Sequence, residues 1–418
     1  MSFPRYPKYK ASGVEWLGDV PEHWAVKRLK HNARLLTEKT DRRDHPVGLE
    51  NIEGWSGRFI PTETAFEGEG IAFDAGDILF GKLRPYLAKA YLAQSSGEAV
   101  GDFYVMRPAV GIDARFAQYQ ILNREFIAIV DGSTFGTKMP RASWEFVGGM
   151  KLTLPPLVEQ TAIAEFLDRE TGKIDGLVAE QRRLMELLKE KRQAVISHAV
   201  TQGLNPHAPM KPSGIEWLGD VPEHWEVKRL KHVLARNGLV RGPFGGDLKK
   251  EIFQASGIKV YEQKNAIYRD YQLGESYVSA GKYSEMLRFR VTPGDYIMSC
   301  SGTIGKTYRL PESAPDGIIN QALLIIRFSN NVTFQYADWI FDSEFFVKQI
   351  LDNSQGGAMK NLVGMDVFTS ISLPVPPLNE QLQIAQYLDA ESSKFDILTA
   401  EAPKRNAPST CCKNAAPR

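Results

Sequence analysis

One segment of this chain is written twice. Lys10 to His31 (KASGVEWLGDVPEHWAVKRLKH) returns as Lys211 to His232, with differences only at Ala11/Pro212, Val14/Ile215 and Ala25/Glu226. A second pair, Pro155 to Glu180 and Pro376 to Glu401, shares the frame PPL-x-EQ-x-x-IA-x-x-LD-x-E-x-x-K-x-D-x-x-x-AE. A period near 200 residues is a domain duplication and not a solenoid, whose repeats run to a few tens of residues. The chain is therefore two copies of one plan: a tryptophan-rich lead-in, a variable stretch, and a helix opening with Pro-Pro-Leu.

The first of those helices should be long. From Leu157 to about Gln202 there is no proline, and apolar residues fall on a 3-4 spacing at Ile174, Leu177, Leu184, Leu188 and Val195. Polar Gln181 and Lys191 share the stripe. This is a heptad-like seam, and Pro155-Pro156 suits the helix start because the missing N–H is an orphan there anyway. A helix of this kind is about 65 Å long at about 1.5 Å per residue. It cannot bury its seam against itself, and the second Pro-Pro-Leu helix is the expected partner.

The variable stretches, about 33–150 and 234–371, read as mixed. Ala72 to Phe80 and Val291 to Met298 are turns leading into strands, while Asp102 to Met106 and Ala322 to Phe328 are buried strands. Phe116 to Val130 and Phe334 to Leu351 have helical spacing, and each is followed by a glycine-containing loop. The expected fold class is α+β or α/β with a pseudo-two-fold internal repeat. Its parts are a first globule (1–154), a long helix (155–203), a linker (204–215), a second globule (216–375), a second helix (376–401) and a tail (402–418).

Charge excludes little: 51 basic and 50 acidic residues leave a formal +1, so nucleic-acid binding has to come from local patches. Met1 to Tyr6 lacks an apolar h-region. No run approaches the ~18 apolar residues of a membrane span, so a cytoplasmic protein is expected. Three cysteines, Cys300, Cys411 and Cys412, build neither a disulfide framework nor a four-ligand metal site. The segment Ser301 to Thr307 (SGTIGKT) ends like a phosphate loop, but Cys300 stands where that loop needs glycine and Pro311 argues against the required helix. His23, His31, His224 and His232 belong to the lead-ins, without ligand spacing. No catalytic site and no metal site emerges.

Binding candidates remain. Trp16, Trp24, Trp217 and Trp225 of the two lead-ins either pack on their own globule or offer a surface to a partner present in two copies. In the first globule Lys82, Arg84 and Tyr86 follow a strand, and Ser133, Thr134, Lys138 and Arg141 sit on or beside the glycine loop. In the second globule the corresponding candidates are Arg241, Lys249, Lys250, Thr303, Lys306, Gln355, Lys360 and Asn361. Lysine and arginine on such loops position phosphates, while Arg, Asn, Gln, Ser and Thr read base edges.

With these residues in view, the chain resembles the specificity subunit of type I restriction–modification systems. The resemblance rests on the twice-stated SG[VI]EWLGDVPEHW, on GDILFGKLRPYL at 76–87 and GDYIMSCSGTIG at 294–305, and on LPPLVEQ at 154–160 and PPLNEQ at 376–381. It implies two target-recognition domains, each reading half of a bipartite, gapped DNA site, held apart by an antiparallel coiled coil of the two helices. It also implies a subunit without catalysis or cofactor of its own. Two modification subunits carrying S-adenosylmethionine dock on it and methylate adenine; restriction subunits join to cleave DNA with ATP and Mg. The alternatives are a specificity module of a fused restriction–methylation enzyme, a coiled-coil scaffold that binds no DNA, and a P-loop NTPase.

The tail departs from the plan. After Glu180 the first copy continues EQRRLMELLKEKRQAVISHAVTQGL, whereas after Glu401 the second reads APKRNAPSTCCKNAAPR. Its three prolines are incompatible with a helix interior. Thr410 to Arg418 can be encoded as ACC-TGC-TGC-AAG-AAC-GCC-GCT-CCG-CGC. Read from the third base, those nucleotides give Leu-Leu-Gln-Glu-Arg-Arg-Ser-Ala, close to Leu187 to Ala194. A frameshift shortly after Glu401 is the expectation. Much of the seam past Leu184 is then expected to lack its partner within the chain.

Overall fold

A computed structural model describes residues 5–41, 45–62, 68–136, 138–243, 245–352, 362 and 364–401. The fold is mixed α/β, and the chain divides into two compact units, Met1–Gly176 and Leu177–Arg418. The division falls inside the long helix Leu157–Gln202, which runs unbroken for 46 residues.

In the first unit a four-stranded sheet has the order Ala33–Leu36, Phe103–Pro108, Ile78–Gly81, Ala90–Leu92, all antiparallel. The expected strands at 72–80 and 102–106 are thus present, the former as Gly70–Phe73 and Ile78–Gly81 around a turn. Strand periodicity sends alternate side chains to opposite faces. Ile78 and Phe80 enter a core with Met106, Ile121 and Phe126, while Leu79 enters a second core with Phe73, Phe103 and Val105. A sheet buried on both faces explains the unbroken apolar run IleLeuPhe at 78–80.

The second unit repeats this arrangement. Its sheet has the order Leu234–Arg241, Leu323–Phe328, Tyr296–Ser299, Thr307–Arg309. Tyr296 and Met298 face one core and Ile297 the other. A smaller sheet accompanies each. In the first unit Gly70–Phe73 pairs antiparallel with Gly97–Val100, which pairs parallel with Pro46–Val47. In the second, Arg290–Val291 pairs antiparallel with Gly317–Ile319, which pairs parallel with Ile258–Tyr261. The fourth strand differs: it joins the Gly70–Phe73 edge in one unit and the Ile258–Tyr261 edge in the other.

Two helical stretches are split. The spacing at 116–130 becomes Ala114–Ile121 and Arg124–Gly132, because Asn123 Oδ1 accepts the amides of Glu125 at 2.9 Å and Phe126 at 3.3 Å and starts a new helix. The stretch 334–351 likewise becomes Phe334–Asp342 and Glu344–Asp352.

Within the second unit the end of the first long helix lies against the second, Leu378–Glu401. Ile196, Ala199 and Val200 share a core with Ile384 and Leu388. Arg192 bonds Asp396 at 2.9 Å and also reaches Ser392. A Cβ at Gly203 would lie 3.2 Å from a Glu380 oxygen, so the two segments run in opposite directions. This direction corrects the expected location of the uncovered seam. Val195 packs on the shared core, whereas Ile174, Leu177 and Leu184 are 59%, 60% and 48% exposed. The open part precedes Leu188, because a second helix that starts beside Gly203 and ends at Glu401 covers the C-terminal part of the first. The tail 402–418, with the expected frameshift, lies outside the described residues.

Candidate nucleic-acid interface

The loops proposed from sequence occupy one topological position in both units. In the first, residues 82–89 connect Ile78–Gly81 to Ala90–Leu92; in the second, residues 300–306 connect Tyr296–Ser299 to Thr307–Arg309. Each loop is tied to the chain that enters the next helix. Ala142 N–H donates to the Lys82 carbonyl at 3.0 Å, and Leu362 N–H donates to the Cys300 carbonyl at 2.9 Å. The phosphate-loop resemblance ends here, since Thr307 opens a strand and not a helix. Cys300 is a core residue whose thiol is pushed up to about 12 by burial.

What fixes this position is the Gly-Asp of both motifs. Gly76 and Gly294 each have φ +90, a turn conformation L side chains rarely adopt. The buried Asp77 carboxylate takes Arg107 Nε at 2.8 Å and Nη2 at 2.7 Å, and Asp295 takes Arg327 Nε at 2.7 Å and Nη2 at 2.6 Å. Each aspartate also caps its own turn, accepting the amide of Asp74 at 2.8 Å or of Thr292 at 2.9 Å. A two-pronged Arg–carboxylate pair fixes geometry as well as charge.

In the first unit the loop candidates come together. Arg84 N–H donates to the Pro140 carbonyl at 2.8 Å, and Leu83 and Phe135 both bridge to Arg141. Lys82 Nζ lies 3.8 Å from Asp102, and Arg141 grips the same carboxylate at 3.1 and 2.8 Å. That bond holds the Arg141 guanidinium above its ordinary pKa. Ser133 and Thr134 turn their hydroxyls onto the carbonyls of Val130 at 2.7 Å and Asp131 at 2.8 Å, closing the preceding helix. The outward groups are Arg84, Tyr86 and Lys138, joined by Phe135, which is 63% exposed and which charge and polarity alone had not marked. Arg84 sits at φ 50, ψ 63, a left-handed conformation uncommon for a residue with a Cβ.

In the second unit Thr303 and Lys306 are exposed on the equivalent loop and Lys249 is exposed on another; Arg241 is half-buried at the end of its strand. Lys250 lies in the short helix Lys250–Ile252. Gln355, Lys360 and Asn361 lie outside the described residues.

The lead-ins end on the long helices. His23 Nε2 lies 2.7 Å from Glu159 Oε1, and Glu159 Oε2 accepts the Trp24 indole at 3.0 Å and the Tyr6 hydroxyl at 2.9 Å. Burial would raise the Glu159 carboxyl, but these three hydrogen bonds outweigh it and leave its pKa below the ordinary range. Glu380 Oε2 takes His224 at 2.8 Å and the Trp225 indole at 3.0 Å. Trp225 is fully buried and contributes packing, not surface, which corrects its reading as a partner contact. Trp24 and Trp16 are half-buried, and Trp217 is 45% exposed, stacked on Phe345 with ring centroids 5.8 Å apart.

Against this geometry stand the comparisons. The family model described as "Type I restriction modification DNA specificity domain" matches residues 222–404. The match covers most of the second half of the chain. Along most of its length the chain is similar to curated specificity subunits. The type I restriction enzyme MjaVIII specificity subunit of Methanocaldococcus jannaschii is 24% identical over 91% of this chain and 89% of its own. The EcoKI specificity subunit of Escherichia coli K12 is 22% identical over 89% of this chain and 82% of its own. Among solved structures, a chain from a study of complex assembly and conformational transition of the type I R-M system aligns with TM-score 0.68 at 17% identity, covering 92% of this chain and 94% of that one. The HsdS subunit from Thermoanaerobacter tengcongensis aligns with TM-score 0.51 at 18% identity, covering 93% of each. These likenesses show a shared fold.

In both copies the Glu-Gln of Pro-Pro-Leu-x-Glu-Gln has a role the sequence reading missed. Gln381 is fully buried; its Oε1 accepts Thr333 N–H at 2.8 Å and its Nε2 donates to Asn331 and Pro376 carbonyls at 2.8 and 2.9 Å. Gln160 does the same with Asp113 N–H at 2.9 Å and the Pro155 carbonyl at 2.8 Å. Asp389 takes the Trp339 indole at 3.0 Å where Asp168 takes the Tyr119 hydroxyl at 2.7 Å. Recurrence of these polar letters in both copies was the available signal.

Proposed function

We propose that this chain is the DNA specificity subunit of a type I restriction–modification complex. Its two units act as target-recognition domains, each reading one half of a bipartite, gapped site, with the two long helices as an antiparallel coiled-coil spacer. The observation that carries this reading is that one strand-to-strand loop, anchored by the same Gly-Asp turn and the same backbone tie, recurs in both units. It bears different side chains, Arg84-Pro85-Tyr86 in one and Gly302-Thr303-Ile304 in the other. Equal scaffolds with unlike tips suit two unlike half-sites, because base readout depends on side-chain chemistry at the groove.

The chain supplies recognition and no catalysis or cofactor. Modification subunits, two copies using S-adenosylmethionine, bind the repeated regions, and restriction subunits bring ATP-dependent cleavage; the work is cytoplasmic. Among the described residues no helix is long and apolar enough to cross a membrane.

The test is a methylome. Expressed with its neighbouring modification subunit in a methylation-free host, the chain should produce N6-methyladenine in a two-part motif with a fixed gap. Methylation at a single contiguous motif would refute the two-domain reading. A normal methylome with unchanged DNA affinity after neutralising Arg84, Lys138 and Lys306 would refute the placement of the interface.

A further inference from the structure

The seam of the first long helix is covered along only part of its length. Toward its C-terminus Arg192 bonds Asp396 and reaches Ser392 of the second helix, and Ile196 and Ala199 share a core with Ile384 and Leu388, onto which Val195 packs. On the same stripe of the same helix, seven residues apart, Leu184 and Leu177 are 48% and 60% exposed, and Ile174, three residues before Leu177, continues it at 59%. The second helix ends beside this open stretch with Ile397 and Leu398 also exposed, at 59% and 49%.

The repeat shows what one of these positions meets. Ile174 corresponds to Phe395 and Leu177 to Leu398 in the shared frame. Phe395 is 7% exposed, on a helix whose neighbouring turns pack on the antiparallel segment of the first. The open stretch is therefore the continuation of an existing helix-to-helix interface, and it fits an antiparallel helix with a heptad seam. In the second copy, the sequence after Glu401 reads Ala402-Pro403 where the first has Gln181-Arg182.

We infer that the open stretch is a self-association surface: two copies of this chain pair through Leu177 and Leu184 in antiparallel register. The stripe is complementary to itself in that direction. With Ile174 set opposite the partner copy's Leu184, Leu177 meets Gln181, so each polar position lies against a leucine and not against a second glutamine. An isologous contact of this kind closes on two copies and does not propagate. This inference is independent of the DNA-recognition reading.

Light scattering and sedimentation of the full chain, over a wide concentration range, test it. The wild-type chain should show a reversible dimer. The double variant Leu177→Glu/Leu184→Glu should dimerise at least tenfold more weakly, with unchanged circular dichroism and melting, because both positions are exposed. Mixing Leu184→Glu chains with Ile174→Lys chains, whose altered positions face each other in this register, should restore a dimer containing one of each. A wild-type chain that stays monomeric overturns the inference. If that monomer binds a synthetic helix of residues 184–202, the surface takes a separate helical partner instead of a second copy. A dimer insensitive to the double variant overturns the surface itself.

Discussion

Glu380 accepts the indole N–H of Trp225 at 3.0 Å, and the tryptophan is completely buried beneath that bond. The lead-in of the repeat is thereby pinned to the first turn of its own long helix. Glu159 and Trp24 repeat the arrangement at the same 3.0 Å. Removing the carboxylate leaves a buried donor unpaired, which costs about 1–3 kcal/mol. Glu380→Ala should therefore lower the urea midpoint of the full chain, read by tryptophan fluorescence. An unchanged midpoint would show that the bond contributes nothing net.

Acid should act on the first of these anchors in a defined window. The Glu159 carboxyl is held below its ordinary value, so its stabilising contribution is fully present above the unfolded-state pKa of about 4.3 and is lost as pH falls through the lower folded value. The stability difference between wild type and Glu159→Gln should shrink on acidification below that point, as measured by urea titrations across the acid range. A difference that grows toward low pH would contradict the sign.

Tyr336 is fully buried, with its hydroxyl 3.0 Å from the Val200 carbonyl and 3.1 Å from the Pro374 carbonyl. It ties the end of the first long helix to the strand Ser372–Val375. Tyr336→Phe keeps the ring and strands both acceptors, so a loss of about 1–2 kcal/mol is expected. Hydrogen exchange should show the last turn of Leu157–Gln202 opening first; uniform exchange across the unit would point to a global effect instead.

On the proposed DNA-recognition reading, the pairing of each cation should matter more than its position in sequence. Arg84 and Lys138 are exposed, whereas Lys82 and Arg141 both lean on Asp102. Arg84→Ala and Lys138→Ala should each weaken binding and reduce the salt slope by about 0.9 per lost phosphate contact. Lys82→Ala should do less, since Asp102, 3.8 Å away, offsets part of its charge. Equal effects for all three would mean that Asp102 releases its partners on binding.

Sequence alone showed the duplication, the long helix from Leu157 to Gln202, the second helix ending at Glu401 and most of the strands, because each has a local signature: repetition, heptad spacing or an apolar run. Its binding candidates included residues after Phe80 and, with Thr303 and Lys306 among others, after Met298, but it did not show that these two loops occupy equivalent positions. It could not say that Lys82 and Arg141 meet on one aspartate, that Ser133 and Thr134 spend their hydroxyls on a helix end, or that Trp225 faces inward. The first and last of those facts join residues far apart in the chain, and spacing carries no record of such distances; the hydroxyl bonds reach only three residues back and depend on the helix ending there. The direction in which the two helices meet belongs to the same class. Leu184 and Val195 look alike along a heptad; one is open and the other covered because the second helix starts beside Gly203 and runs back only as far as Glu401. Local pattern determined which elements form and which face of each is apolar. Tertiary packing decided which of those faces is already satisfied, because burial depends on where the partner element ends.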